Sequence, residues 1–193
     1  MFKSEKIVRQ IPSLISMIRI LLAPVFSQSI KRGQFGKALL VTSLAGASDF
    51  ADGFLARKFS WISKFGALLD PIADKVFELT AVFWLHKAAL LPSWYKLIFF
   101  SRNILQLCSI PLLTIVFPRE FKVKPKLPAK MATAIGFTLI SLSLVRKKYA
   151  TNPLLRVLSL TIIFVSGCLE IQILATYLPR LVAIILRQHD TFE

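Results

Sequence analysis

Residues 153–178 read PLLRVLSLTIIFVSGCLEIQILATYL, and only Arg156 and Glu170 in that run carry charge. A helix rises about 1.5 Å per residue, so roughly 20 apolar residues cross a bilayer. The run is long enough, and Pro153 stands where a helix tolerates proline best, at its start. It reads as a membrane-spanning helix.

Working outward, charge clusters and prolines cut the chain into five more runs of the same kind, at 12–30, 34–57, 64–91, 93–117 and 128–145. Pro12 and Pro128 repeat the proline-first pattern of Pro153. The expected fold class is an all-α integral membrane protein, six transmembrane helices with a short N-terminal interfacial helix. Residues 1–193 form a single membrane domain: a basic interfacial lead at 1–11, a six-helix bundle over 12–187 and a tail at 188–193. The apolar segment from Pro179 to Arg187 either extends the last helix or lies at the interface. The first run has no small-residue cleavage site and reads as a retained span.

Composition agrees. Of 193 residues 55% are apolar and 18% charged, mean hydropathy is +0.64, and the net charge is +15. A disordered basic tail lacks such apolar content. A nucleic-acid binder would spread its cations over a water-facing surface rather than between apolar runs, so no nucleic-acid partner is expected. Basic loops flanking spans explain the excess, and a modest surplus of Lys and Arg on the N-terminal side sets that side as cytoplasmic. Cys108 and Cys168 each lie in an apolar stretch and read as small hydrophobes.

The acids are concentrated. Asp49, Asp52, Asp70 and Asp74 are four of the chain's aspartates, gathered at the facing ends of the second and third runs. Each intramembrane carboxylate costs about 2.5–3.5 kcal/mol even on the insertion scale. Spacings of three and four put Asp49, Asp52, Gly53 and Ala56 on one helix face, and Gly66, Asp70 and Asp74 on another. The short link at 58–63 makes these helices antiparallel neighbours whose acidic faces can meet near the inner surface. Converging carboxylates repel unless a cation lies among them. Oxygen-only ligands select hard ions, Mg²⁺, Mn²⁺ or Ca²⁺, over zinc, because His86 and His189 are distant. Four acids suffice for two divalent cations, which together clamp the attacking and leaving oxygens of a phosphoryl transfer. Gly53 and Ala56 remove bulk beside them, and Arg57 offers a fork suited to phosphate.

The run Asp49-x2-Asp52-Gly53-x2-Ala56-Arg57-x8-Gly66-x3-Asp70-x3-Asp74 resembles, at every fixed position, the signature of the CDP-alcohol phosphatidyltransferase family. That resemblance implies a six-helix membrane enzyme, commonly a homodimer. Its reaction is attack of an acceptor hydroxyl on the lipid-side phosphate of CDP-diacylglycerol, with release of CMP. It implies two divalent cations, Mg²⁺ or Mn²⁺, on Asp49, Asp52, Asp70 and Asp74, with Asp74 also the general base. Gly53, Ala56, Arg57 and Gly66 resemble the CDP-binding set. The opening Pro12-Ser13-x2-Ser16-x2-Arg19 is similar to the family's Pro-Asn-x2-Thr-x2-Arg; Ser16 keeps the hydroxyl and joins the CDP-binding set, while Ser13 departs from the amide. The active site is expected on the cytoplasmic side of a bacterial inner membrane or an organelle equivalent.

The segment from Leu69 to Lys75 is similar to members with glycerol-type acceptors, phosphatidylglycerophosphate synthases and one-active-site cardiolipin synthases. Arg102, an intramembrane arginine, reads either as a ligand of the acceptor's phosphate or as the partner of a buried acid. Lys130 is the second candidate for acceptor phosphate. Asn103 departs from the acid that usually follows this arginine, and Ile110 departs from an arginine frequent in phosphatidylglycerophosphate synthases. The pattern Lys124-Pro125-x4-Lys130-x2-Thr133-Ala134 has some likeness to cardiolipin synthases. Glycerol 3-phosphate stands first as acceptor and phosphatidylglycerol second. Glu78 and Glu170 are read as partners of Arg19, Lys75 or Arg102 before any role in acceptor binding. A cation transporter or channel is the alternative from another class. It would string its acids along a path through the bilayer rather than crowd them at one side.

Overall fold

The computed structural model describes residues 11–59, 64–116, 127–149 and 151–185, and within them six helices and no strand. These are α1 (Ile11–Lys31), α2 (Phe35–Phe59), α3 (Lys64–Lys87), α4 (Ser93–Val116), α5 (Leu127–Lys148) and α6 (Pro153–Ile185). Each holds at least 21 residues, about 30 Å of helix or more. Only α6, over Pro153–Pro179, is among the described helices both long and apolar enough to cross a membrane on its own composition. Residues 1–10 of the interfacial lead and the tail fall outside the described residues, and Ile11 opens α1.

Local chemistry sets the ends. Asn152 caps α6: its Oδ1 accepts from the amides of Leu154 (3.0 Å) and Leu155 (3.3 Å), and Pro153 follows at the first helical position. After α1, Gly33 turns left-handed at φ +68°, so that Gln34 N donates to Ser29 O and Gly33 N to Ile30 O. The same pair of bonds closes α3, from Leu90 N to Leu85 O and from Ala89 N to His86 O. There the left-handed residue is Ala89, at φ 58°. That turn ends α3 at Lys87, short of the expected residue 91. At the other end of the chain, α6 continues through Pro179 to Ile185, so the terminal apolar segment extends the helix.

The helices close a ring in the order α1, α3, α4, α6, α5, α2, with α3 also touching α5 across the middle. Inward stripes repeat every three or four residues: Ser16, Arg19, Ala23, Phe26 and Ile30 on α1, and Ala38, Val41, Thr42 and Ala45 on α2. Phe26 meets the edge of Phe77, which stacks on Phe137, joining α1, α3 and α5 through one aromatic column. Buried Ala38, Ala45, Ala73 and Ala81 let backbones approach closely. Between α4 and α6 the approach is tighter: a Cβ on Gly167 would lie 2.6 Å from the Trp94 ring.

Polarity is inverted relative to a water-soluble domain. Arg19, Glu78, Arg102, Asn103 and Glu170 are buried, while Leu21, Leu40, Phe50, Leu97, Leu154 and Phe164 lie outward and exposed.

Candidate active site

The site is built on three helices. α2 carries Asp49, Asp52, Gly53, Ala56 and Arg57, and α3 carries Gly66, Asp70 and Asp74. Among the described residues α1 packs against both and stands between them in the ring, so the two acidic helices meet through α1 rather than as the direct neighbours expected from the short link. From α1, the fully buried Arg19 extends Nη1 to Oδ1 of Asp49 at 2.5 Å, and the same nitrogen donates to Oδ1 of Asp74. One guanidinium thus joins the first and the last aspartate of the signature. Ser16 is buried one turn before Arg19 on the same α1 face. The side chains of Asp52, Gly53, Ala56, Arg57, Gly66, Asp70 and Lys130 lie outside the described residues, although their backbones fall within α2, α3 and α5.

Asp49 and Asp74 fit a hard-cation centre. Their donors are oxygens, they come from different helices, and they lie near enough to share a single donor nitrogen. Among the described residues no group of three or more His, Cys, Asp or Glu is gathered for a metal.

A second polar layer lies deeper. Lys75 Nζ binds Oε2 of Glu78 at 2.9 Å, one turn beyond Asp74. The other carboxylate oxygen of Glu78 is 3.5 Å from where a Cβ on Gly136 would stand. Arg102 grips Glu170 with two bonds, Nε to Oε2 at 2.5 Å and Nη2 to Oε1 at 2.9 Å, and donates to Gln106 at 3.2 Å. Tyr95 shares a hydrogen bond of 2.9 Å with Ser166, one turn before Glu170. Asn103 turns its amide back to Phe99 O, 2.8 Å, within its own helix. Of the two candidate roles of Arg102, the structure shows the ion pair, with Nε and Nη2 held by Glu170 inside the bundle. Glu78 and Glu170 pair with Lys75 and Arg102.

The residue whose place sequence reasoning missed is Arg19. Its signal was present, since an arginine inside an apolar run three residues after Ser16 demands an anionic partner. The sequence offered Glu78 and Glu170 for it, whereas the structure gives it Asp49 and Asp74, because periodicity does not choose among helices.

Residues 9–176 match the family model described as CDP-alcohol phosphatidyltransferase. A cardiolipin synthase (CMP-forming) of Streptomyces coelicolor is 38% identical over 109 residues, covering 53% of this chain and 51% of that protein. The cardiolipin synthase (CMP-forming) of Rattus norvegicus is 33% identical over 165 residues, 77% of this chain and 55% of that protein. A CDP-diacylglycerol–glycerol-3-phosphate 3-phosphatidyltransferase of Aquifex aeolicus is 29% identical over 166 residues, 81% of this chain and 90% of that protein. The chain spans about half the length of the two cardiolipin synthases it matches.

Proposed function

The chain belongs to the CDP-alcohol phosphatidyltransferase family, and from that premise we propose that it transfers a phosphatidyl group from CDP-diacylglycerol to a glycerol-type hydroxyl, in phospholipid biosynthesis. The observation that carries the reading is the meeting of Asp49 and Asp74, from opposite ends of the signature, at one point between α1, α2 and α3.

In this reading Asp49, Asp52, Asp70 and Asp74 hold two divalent cations, Mg²⁺ or Mn²⁺. When bound, such cations supply positive charge to the diphosphate oxygens at which negative charge develops. The acceptor oxygen forms a bond to the lipid-side phosphorus, and the bond from that phosphorus to CMP breaks with its electron pair leaving on CMP. Asp74 takes the proton of the acceptor hydroxyl. Gly53, Ala56 and Gly66 leave room for the nucleotide, with Arg57 and Ser16 beside it.

Two acceptors suit this chemistry. Glycerol 3-phosphate brings a second phosphate that needs a dedicated cation, and Arg102, one of the two candidates with Lys130, is engaged by Glu170. Phosphatidylglycerol carries its phosphate at headgroup level and needs no such cation deep in the bundle. The Arg102–Glu170 pair therefore favours phosphatidylglycerol, as do the names of the Streptomyces and rat relatives. The name of the Aquifex relative, matched over most of its length, supports glycerol 3-phosphate as the second reading.

The same proposal includes six membrane spans in a single domain over residues 1–193, a site opening to the cytoplasmic side, and a homodimer. The outward apolar side chains and inward ionic ones support a lipid-facing surface around the whole ring.

The experiment is direct. Purified protein in detergent is given CDP-diacylglycerol, Mn²⁺ or Mg²⁺, and in separate tubes phosphatidylglycerol or glycerol 3-phosphate. CMP together with cardiolipin from the first acceptor is the expected result. No CMP above background with either acceptor overturns the reading.

A further inference from the structure

Arg19 presents an unusual conflict. Its guanidinium holds Oδ1 of Asp49 and Oδ1 of Asp74, and it is wholly buried in doing so. Those oxygens belong to the carboxylates that a hard divalent cation would take. A guanidinium and a metal ion are both positive, and neither gains from sharing one oxygen pair with the other. The arrangement nevertheless has a use. Two carboxylates this close repel unless a positive charge lies between them. On α1 that charge is part of the chain, on the same buried stripe as Ser16, Ala23 and Phe26.

We infer that Arg19 is a positioning residue that occupies the carboxylate oxygens of Asp49 and Asp74 before metal loading and yields them to the entering divalent cation. The inference rests on the metal site proposed above. It makes metal affinity a difference between two cations competing for one anionic pair. The fraction of protein with Arg19 released then scales the apparent affinity, as a pre-existing closed state does for any ligand. A purely structural Arg19 predicts the opposite sign, because loss of the strut would scatter the ligands and weaken binding.

The test measures Mn²⁺ binding to the full-length protein in detergent by loss of the free-ion magnetic resonance signal, without substrate and without turnover. Wild type, Arg19→Gln and Arg19→Lys are compared. Saturable binding to wild type is expected; its absence sinks the metal site itself and with it this inference. Given that binding, Arg19→Gln is expected to bind Mn²⁺ about tenfold more tightly, the factor that removing one charge-assisted competitor sets. Arg19→Lys, which keeps the positive charge but ends in a compact, more strongly hydrated ammonium on a different stem, falls between. The glutamine variant should also gain more thermal stability from Mn²⁺ than wild type does. Equal or weaker binding in both variants overturns the inference and leaves the metal site standing. A glutamine variant recovered only when Mn²⁺ is present throughout purification supports it, since the metal then replaces the guanidinium. Variants recovered under neither condition overturn it.

Discussion

Arg102 on α4 and Glu170 on α6 meet face to face inside the bundle, two nitrogens on two oxygens at 2.5 and 2.9 Å. The sequence separation is 68 residues, and both side chains are nearly without exposed surface. A pair of this kind is costly to break from one side, because the survivor keeps its charge without an anion or cation to balance it. Glu170→Ala should destabilise the protein by about 3–5 kcal/mol. The double variant Arg102→Leu with Glu170→Leu should recover most of that loss, as apolar replacement of a whole buried pair commonly does. Thermal unfolding in detergent of the single and double variants checks this, and equal damage in both would contradict it.

Asp74→Asn keeps the size of the side chain and removes its capacity to take a proton. Release of CMP should fall by at least about 10²–10⁴-fold, the usual contribution of a positioned general base. Binding of CDP-diacylglycerol should persist, since three proposed ligands remain. Parallel measurements of nucleotide-lipid binding and of CMP release separate the two effects, and retained turnover would remove Asp74 from the role.

Activity should require a divalent ion outright. Excess chelator is expected to abolish CMP release, and Mg²⁺ or Mn²⁺ to restore it, because oxygen donors prefer hard ions. Full activity in chelator would disconnect the aspartates from metal chemistry.

The two left-handed helix ends make a reciprocal pair. At Gly33 an added Cβ would meet nothing within 4 Å, so Gly33→Ala costs only backbone strain, about 1–2 kcal/mol. At Ala89 the strain is already present, and Ala89→Gly should return about 1 kcal/mol. Unfolding midpoints should therefore move in opposite directions for the two changes. Movement in the same direction would mean that contacts, rather than φ, decide these turns.

Much of the architecture was legible before any coordinates. The helices begin and end within a few residues of where charge clusters and prolines cut the sequence, because those residues act locally. The exceptions are local too: α3 stops at a left-handed alanine, which no propensity rule selects, and α6 runs through a proline that a membrane helix tolerates. The aspartate signature was equally plain, since its spacing is a property of neighbouring turns. What the sequence withheld was rotation. Arg19 had acids at 30 and 55 residues' remove, and also Glu78 and Glu170, as possible partners. Only the ring order, with α1 lying against both α2 and α3, aims it at Asp49 and Asp74. The same ring sets α4 beside α6 and so assigns Glu170 to Arg102.

Gly167 has a bearing on that assignment. It stands under the Trp94 indole, one turn before Glu170 and next to Ser166. Because it has no side chain, α6 can nest against α4 closely enough for a carboxylate of modest reach to span the seam. A residue that makes no bond of its own therefore acts as the shim that fixes the gap, and the electrostatic clasp beyond it closes only because that thickness is zero.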